Sequence, residues 1–420
     1  MSDVLQQVRD LQSEDLGAAE TLLLGFMQRE LPFDITSIEL RPSAVSLNSF
    51  NGFMHLADGT KYFFKSHTET DTVIEEYYNA EMLAKAGYNV IQPIYRSEEP
   101  GKQMLVYEVI DDLSVFDVAW TIENNQSDLL DVLTGAQNRS DDRLLQHYQN
   151  TLIWQTAEEA AQSPVHQLFH HRLVRGRLMR FYGDIAHASS DIPIQLPGMT
   201  STMGEVAGVK WVINGQQYEE TLADIVSRAN KLLEPAQEGS AVIGHGDAHN
   251  GNVFLKEHPQ PPTLLYFDPA FAGHHHPLLD LTKPLFHNVF AMWMYHPQVK
   301  DAQTHITITR DGDTWIVEHD YHLPEVRHIF LKSKSDRVLQ PIVHMLTQKN
   351  WLPADWRAYL KSALMCCPLL TMNLADNNRF PPGISLLGLS MAVEMGSESQ
   401  GTRSLIDQTL DEVEASLSTT

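Results

Sequence analysis

Residues 242–255 read VIGHGDAHNGNVFL, and residues 264–269 read LLYFDP. The first stretch predicts a loop that carries Asp247, followed by a short strand that opens with Asn252. A proline-containing turn over residues 258–262 leads into an apolar strand that ends in Asp268. Antiparallel pairing of the two strands would bring Asn252 and Asp268 to the same end of a hairpin, beside Asp247.

This set of oxygen-bearing side chains suits the transfer of a phosphoryl group. In-line transfer needs a carboxylate that orients the attacking hydroxyl and accepts its proton, which is the role predicted for Asp247. It also needs hard oxygen ligands for Mg²⁺, which Asn252 and Asp268 would supply. The metal ion neutralises charge on the β- and γ-phosphates, so little covalent chemistry is left for the protein.

The stretch resembles the catalytic loop of the aminoglycoside phosphotransferase and choline kinase-like superfamily. Members of that superfamily carry a His-Gly-Asp version of the protein-kinase catalytic loop, matched here by residues 245–247, and a strand-borne aspartate, matched here by Asp268. The resemblance implies Asp247 as the catalytic base and Asn252 and Asp268 as magnesium ligands. It also implies ATP as the phosphate donor and a hydroxyl of a small molecule as the acceptor.

Three more residues agree with the family's pattern. His249 and Gly251 fit the usual spacing inside the loop, and Asp280 matches an aspartate that braces the loop in the family. A protein kinase proper is disfavoured, because after Asp268 the chain runs through a short proline- and histidine-containing loop into a helix. No long activation segment is visible there.

The same resemblance indicates a phosphate-binding lysine in the first hundred residues. The strand over residues 61–64 delivers Lys65 after an Asp-Gly hairpin, where the family places that lysine. The helix that follows offers Glu76 and Glu81 as its ion-pair partner. Glu76 is preferred because small and apolar residues share its helix face, and Glu81 is the alternative.

Two further segments would bind the nucleotide. The loop that should cover the phosphates reads SLNSFNG at residues 46–52, and its single glycine is a departure from the family's pattern. Backbone amides and short side chains, Ser49 among them, would still cradle phosphate. The strand at residues 104–110 would lead into the hinge, where Glu108 to Ile110 offer backbone groups to adenine.

The implied fold class is α+β, a two-lobed protein-kinase-like fold with a small β-rich N-terminal lobe and a larger, mostly helical C-terminal lobe. Residues 1–110 would form the nucleotide-binding lobe, with a helix over 4–30, strands paired around Asp58-Gly59 and a helix over 71–85. Residues 111–420 would carry the catalytic loop and acceptor-binding insertions. The patterns there predict helices at 128–135, 141–161, 164–182 and 222–233, a long loop at 183–208, and hairpins at 210–219 and 306–317.

The composition argues against several classes of partner. The chain has 54 acidic and 30 basic residues, a formal net charge of −24. A field of this sign repels nucleic acid and anionic membrane surfaces. The apolar stretches are too short for a membrane span, and the N-terminus lacks the pattern of a signal peptide. The two cysteines, Cys366 and Cys367, are adjacent and build no disulfide framework, so we expect a cytoplasmic protein.

Two other interpretations stay open. His245, Asp247 and His249 spell a His-x-Asp-x-His pattern, with three more histidines at 274–276, and such residues suit a metal-dependent hydrolase. That interpretation leaves the other polar residues of the motif without a role. The second is a kinase fold without catalysis that acts as a regulatory or binding module, although all the catalytic elements are present.

Four arginines crowd one predicted helix: Arg172, Arg175, Arg177 and Arg180. They would bind an anionic acceptor, such as a carboxylate or a sugar phosphate, or they would pair with the abundant acidic residues. The composition favours pairing with acidic residues. The acidic balance itself favours an amine such as an aminoglycoside or choline, so the sequence leaves the acceptor undetermined.

Overall fold

The computed structural model describes residues 4–12, 14–41, 49–67, 72–97, 99, 102–174, 176–258 and 260–417. The chain folds into two compact units. The first comprises Met1–Asp112 together with Leu265–Ala270, and the second comprises Leu113–Leu264 together with Phe271–Thr420. The first unit is rich in strands and the second is mostly helical, so the predicted α+β class is confirmed.

The first unit is built around one antiparallel sheet. Its helices and strands are α1 (Val4–Leu11), α2 (Leu16–Glu30), β1 (Ile35–Leu40), β2 (Ser49–Leu56), β3 (Lys61–His67), α3 (Thr72–Lys85), β4 (Tyr95–Ser97) and β5 (Met104–Glu108). The strand order is β1-β2-β3-β5-β4. The single helix predicted over residues 4–30 is two helices, because Asp15 caps the second by accepting a hydrogen bond from the Ala18 amide.

Burial of apolar side chains explains how α2 and the sheet pack. Leu23 of α2, Phe64 of β3 and Val106 of β5 are inaccessible to solvent and belong to the same core. The predicted hairpin of β2 and β3 is confirmed, with Gly59 at φ +87° in its turn. Its register sets Lys65 opposite Asn51.

The second unit is mostly helical. Its α-helices are α4 (Val115–Glu123), α5 (Leu130–Thr151), α6 (Ala157–Ala161), α7 (His170–Val174), α8 (Arg177–Tyr182), α9 (Met203–Gly208), α10 (Leu222–Leu232), α11 (Pro277–His287), α12 (Met292–Tyr295), α13 (Pro297–Gln303), α14 (Glu325–Lys334), α15 (Gln340–Gln348), α16 (Trp356–Leu370), α17 (Pro382–Gly396) and α18 (Leu405–Leu417). Helices α16 and α17 bury most of their residues, including the free thiols of Cys366 and Cys367 in α16. Within the ranges given above, no helix is both long and apolar enough to cross a membrane.

Short strands lie between these helices in the sequence. They are β6 (Ile153–Gln155), β7 (Pro193–Leu196), β8 (Met199–Thr202), β9 (Lys210–Ile213), β10 (Gln216–Tyr218), β11 (Gly239–Gly244), β12 (Val253–Lys256), β13 (Thr263–Tyr266), β14 (Gly273–His275), β15 (Ile306–Asp311), β16 (Thr314–His319) and β17 (Gln400–Gly401). The boundary between the units falls inside β13. The sheets have the orders β14-β11-β6 and β15-β16-β9-β10-β17, and β12-β13 and β7-β8 form two-stranded sheets.

The structure differs from the sequence predictions in three parts of this unit. The helices predicted at 128–135 and 141–161 are mainly one helix, α5, because a buried stripe that includes Ala136 and Tyr148 continues through the segment between them. The helix predicted at 164–182 consists of three shorter ones. The loop predicted at 183–208 contains β7, β8 and α9, because Gly198 at φ +72° permits a tight turn and Thr202 caps the helix.

The two hairpins predicted at 210–219 and 306–317 are confirmed, and they join one sheet. β9 and β16 pair in parallel, which sets Trp211 opposite Trp315. The two buried rings meet edge to face, with their centroids 5.4 Å apart. Both tryptophans therefore stabilise the sheet from within its core.

Candidate functional site

The loop that carries Asp247 connects β11 to β12 in the second unit. Local hydrogen bonds close its backbone: the His249 amide donates to the Asp247 carbonyl oxygen, and the Asn252 amide donates to the His249 carbonyl oxygen, both at 2.8 Å. The side-chain Nδ2 of Asn252 also donates to the Asp247 carbonyl oxygen, at 3.0 Å. These bonds tie the predicted base and one predicted metal ligand into a single small turn.

Asp280 of α11 holds the same loop. Its carboxylate is 2% exposed and accepts hydrogen bonds from the Gly246 amide at 2.6 Å, from Nε2 of His275 at 3.1 Å and from the Tyr148 hydroxyl. Burial alone would raise the pKa of Asp280, but these partners outweigh it and lower the pKa to about 2. The side chain therefore makes the contacts that a brace for the loop requires.

The Asp247 carboxylate is partly buried and ionised. Its Oδ1 is buried and has no hydrogen-bond partner in the part of the chain that the structure describes. Nζ of Lys283 lies 3.8 Å from Oδ1, and Nε2 of His249 lies 3.9 Å from Oδ2. Burial raises the pKa of Asp247, but Lys283, His249 and Arg172 lower it by more, so the pKa lies below its usual value. At neutral pH the carboxylate is therefore charged.

Two polar residues of α11 near this loop were not predicted from the sequence. Lys283 and His287 of α11 are each 3% exposed, and the Lys283 ammonium lies 3.5 Å from Nε2 of His287. Burial and the charge of Lys283 hold the pKa of His287 well below its usual value, so the ring is neutral and accepts this hydrogen bond. Nδ1 of the same ring lies 2.9 Å from the Tyr295 hydroxyl. The spacing of Asp280, Lys283 and His287 was an available signal, because it sets the three on one helix face.

In the first unit, Lys65 and Asp268 form an ion pair. Nζ of Lys65 lies 3.0 Å from Oδ1 of Asp268. Backbone hydrogen bonds from Tyr266 to Asn89 and from Ile91 to Tyr266 fix the segment that leads to Asp268. Asp268 has a φ of +54°, in the left-handed region that aspartate tolerates better than most residues. Such backbone strain is typical of functional positions.

For the other predicted phosphate-binding residues, the structure describes the backbone but not the side chain. Ser49 lies in β2 and Glu76 lies in α3, but both side chains are outside the described residues. The ion pair of Lys65 with Glu76 therefore stays a prediction. The alternative partner, Glu81, forms an ion pair of 2.7 Å with Lys85, one turn further along α3.

The predicted adenine-binding segment follows the last strand of the first sheet. Glu108 is the final residue of β5 and is exposed, and its backbone register is set by pairing with Tyr62 of β3. Ile110 lies beyond the end of the strand, in an irregular segment. The contact of Glu108 and Ile110 with adenine stays a prediction.

Each of the two predicted magnesium ligands carries the kind of donor that Mg²⁺ prefers. Asn252 has an amide oxygen, and Asp268 has carboxylate oxygens. Among the residues the structure describes, no three histidine, cysteine, aspartate or glutamate side chains are grouped so as to hold a metal ion. His245 of the alternative zinc pattern is fully buried. The described residues therefore provide no group of metal ligands that would support the hydrolase interpretation.

We expect Gly246→Ala to destabilise the second unit. Gly246 has φ +79°, and a Cβ at this position would lie 2.4 Å from the carbonyl oxygen of Phe271. The strain and the clash should lower the free energy of unfolding by about 1–3 kcal/mol, which thermal melting would measure. Gly239→Ala is the matched control, because a Cβ there meets nothing within 4 Å. Equal melting temperatures for the two variants would contradict the expectation.

Comparison with known proteins gives similarity in structure but not in sequence. No family model matches the chain, and no curated protein matches it. Solved structures that are similar to it include amicoumacin kinase hAmiN in complex with AMP-PNP, Ca²⁺ and Ami (13% identity, TM-score 0.46, covering 89% of this chain and 92% of that one). Another is Plasmodium vivax ethanolamine kinase (9% identity, TM-score 0.44, covering 99% and 93%).

A third similar structure is the microcompartment-associated aminopropanol kinase, at 13% identity and a TM-score of 0.42, covering 88% of this chain and 94% of that one. All three are kinases by name.

Proposed function

We propose that the protein transfers the γ-phosphate of ATP to a hydroxyl group of a small molecule, with Mg²⁺ as the cofactor. The observation that carries the proposal is the state of Asp247. It is an ionised carboxylate on a loop closed by its own hydrogen bonds, and it has one buried oxygen without a hydrogen-bond partner in the described ranges. An acceptor of this kind, held in place, is what proton removal from an attacking hydroxyl needs.

The surrounding residues have separate roles in this proposal. Asp247 orients the attacking hydroxyl and receives its proton. Lys283 keeps Asp247 charged, because its ammonium lies 3.8 Å from that oxygen. Neutral His287 accepts a hydrogen bond from Lys283 and so holds the ammonium in position.

The remaining predicted residues would act on the nucleotide. Lys65 binds phosphate oxygens, and Asp268 orients the Lys65 ammonium through the ion pair of 3.0 Å. The side-chain oxygens of Asn252 and Asp268 would hold Mg²⁺, which would neutralise charge on the phosphates. Ser49, Glu76, Glu108 and Ile110 complete the nucleotide-binding set as predictions from the sequence.

We expect Mg-ATP to raise the melting temperature of the wild-type protein and Zn²⁺ alone to leave it unchanged. Asn252→Ala and Asp268→Ala should each remove the magnesium-dependent part of ATP binding, because each loses a metal-ligand oxygen. Lys65→Met should weaken ATP binding about tenfold or more, with or without magnesium, because it removes a charged contact. Thermal shift measured against nucleotide and metal concentration would give these affinities.

The control for Lys65→Met is Lys102→Met, which removes a lysine of the same unit that pairs with Glu30 and Glu99. Stabilisation by zinc but not by Mg-ATP would favour the hydrolase. Stabilisation by Mg-ATP without ADP formation, across sugars, amines and amino alcohols, would favour a non-catalytic binding module.

A further inference from the structure

The second unit contains a cavity whose described lining includes no residue of the Asp247 loop, residues 245–252. We call it the β11 cavity, because Ser240 of β11 lines it together with His276, Tyr359, Glu234 and Asp355. Its volume is about 90 Å³. A space of this size has room for about three water molecules, or for a molecule of about four to six non-hydrogen atoms.

Two buried polar atoms of this lining lack a hydrogen-bond partner in the part of the chain that the structure describes. They are Oγ of Ser240 and Nε2 of His276. Ser240 is only 1% exposed, so its hydroxyl is removed from bulk solvent. An unpaired polar atom in such a place costs free energy, and a polar molecule in the cavity would recover that cost.

The tautomer of His276 shows what this molecule must offer. Nδ1 of the ring accepts a hydrogen bond from the Leu278 amide at 3.2 Å, at the start of α11, so that nitrogen carries no proton. Burial lowers the pKa of His276 to about 3, so the ring is neutral at pH 7 and its proton lies on Nε2. The Tyr359 ring meets the His276 ring edge to face, with centroids 5.1 Å apart. The buried part of the cavity therefore presents an oriented N–H donor, which an oxygen atom would satisfy.

The exposed part of the lining has the opposite character. Glu234, Glu238 and Asp355 all line the cavity and are exposed, and the described lining contains neither lysine nor arginine. Glu234 already lies near a basic group, since Nε2 of His170 is 3.2 Å from its carboxylate. A set of carboxylates without lysine or arginine attracts cations and repels anions. A ligand would therefore direct a positive group toward these residues and an oxygen toward the buried donors.

We propose that the β11 cavity binds a small primary ammonium compound that also carries a carbonyl or hydroxyl oxygen. The oxygen accepts a hydrogen bond from Nε2 of His276 and another from the Ser240 hydroxyl. The ammonium group lies among the three carboxylates, where its charge is complemented. This site is separate from the Asp247 loop, so the inference goes beyond the proposed function and does not depend on it.

The test uses glycinamide as the probe and the whole 420-residue chain. Glycinamide has the ammonium and the carbonyl oxygen but no hydroxyl, so it cannot act as a phosphate acceptor. Acetamide lacks the ammonium, ethylamine lacks the oxygen, and glycolate carries the opposite charge. Each affinity is measured by thermal shift at constant ionic strength, with the probe salt replacing an equal concentration of sodium chloride.

Two variants remove one predicted contact each. Ser240→Ala removes the unpartnered hydroxyl, and Asp355→Asn removes an exposed charge whose side chain makes no capping hydrogen bond to α16. The matched controls are Ser390→Ala, a buried serine that bonds to a carbonyl of its own helix, and Asp142→Asn, an exposed aspartate paired with Arg337. None of the control residues lines the cavity.

We expect glycinamide to bind the wild-type protein more tightly than acetamide, ethylamine or glycolate. Ser240→Ala should weaken the binding of glycinamide about threefold to tenfold, because one hydrogen bond is lost. Asp355→Asn should weaken it about twofold to fivefold, because one exposed charge is lost. Both controls should match the wild type, and Asp247→Asn should keep the wild-type affinity for glycinamide.

The inference is overturned if glycinamide does not raise the melting temperature, in which case the cavity holds only water. It is also overturned if either cavity variant binds glycinamide as tightly as the wild type does, or if glycolate binds better. A loss of affinity confined to Asp247→Asn would place the ligand at the proposed active site and contradict the inference. Stabilisation by Mg-ATP tests the proposed function separately, so a failure of one proposal is distinguishable from a failure of the other.

Discussion

Asp247→Asn should lower kcat for phosphate transfer by about 10²–10⁴-fold while Mg-ATP binding is retained, because an amide cannot accept the hydroxyl proton. The substitution preserves the size of the side chain and does not touch the Asp247 carbonyl oxygen, which accepts the hydrogen bonds that close the loop. The measurement is ADP formation with an acceptor from the panel above, alongside thermal shift with Mg-ATP.

The matched control is Asp336→Asn, which removes an exposed carboxylate paired with Lys332 one turn away. It should leave both kcat and the melting temperature near the wild-type values. Full activity of Asp247→Asn on an identified acceptor would show that Asp247 is not the base. A lowered melting temperature without nucleotide would show that Asp247 also has a structural role.

Asp280→Asn should lower the free energy of unfolding of the second unit by about 3–5 kcal/mol, the usual cost of breaking a buried charged pair. The wild-type carboxylate accepts from the Gly246 amide, from His275 and from Tyr148. An amide at this position turns one acceptor into a donor and leaves a buried partner unsatisfied. Chemical unfolding would measure the loss, with Asp142→Asn, an exposed ion-pair carboxylate, as the control.

The same residue predicts how stability depends on pH. The folded-state pKa of Asp280, about 2, is below its ordinary value of 3.8. The carboxylate therefore contributes its full stabilisation above pH 4 to 5 and loses it as the pH falls through about 2. The contribution is on the order of 2–3 kcal/mol, and the melting temperature of Asp280→Asn should respond less to acid than that of the wild type. If the melting temperatures of the two proteins fell equally as the pH was lowered, the assignment would be contradicted.

Local sequence predicted the Asp247 loop well, because its geometry depends on hydrogen bonds between residues two to five positions apart. The hairpin that carries Lys65 could be predicted equally well, because an Asp-Gly turn and alternating apolar residues define it. The ion pair of Lys65 with Asp268 was not predicted. Both residues were identified, but the partner expected for Lys65 was a glutamate of the following helix.

The parts that the sequence did not indicate depend on tertiary packing. Lys283 acquires its role because α11 is buried on all sides, which forces its ammonium toward the few polar groups nearby. The continuity of α5 was missed because glycine is a weak helix former and the buried stripe that overrides it appears only on folding.

Helix α11 is eleven residues long. It carries both the residue that braces the Asp247 loop and the residue that lies beside the Asp247 carboxylate. A slip of one residue along its axis, about 1.5 Å, would take Asp280 from the loop and Lys283 from Asp247 in one movement. Under the proposed function, selection for stability and selection for activity therefore act on the same helix. Sequence change in this protein should therefore be slow along this helix.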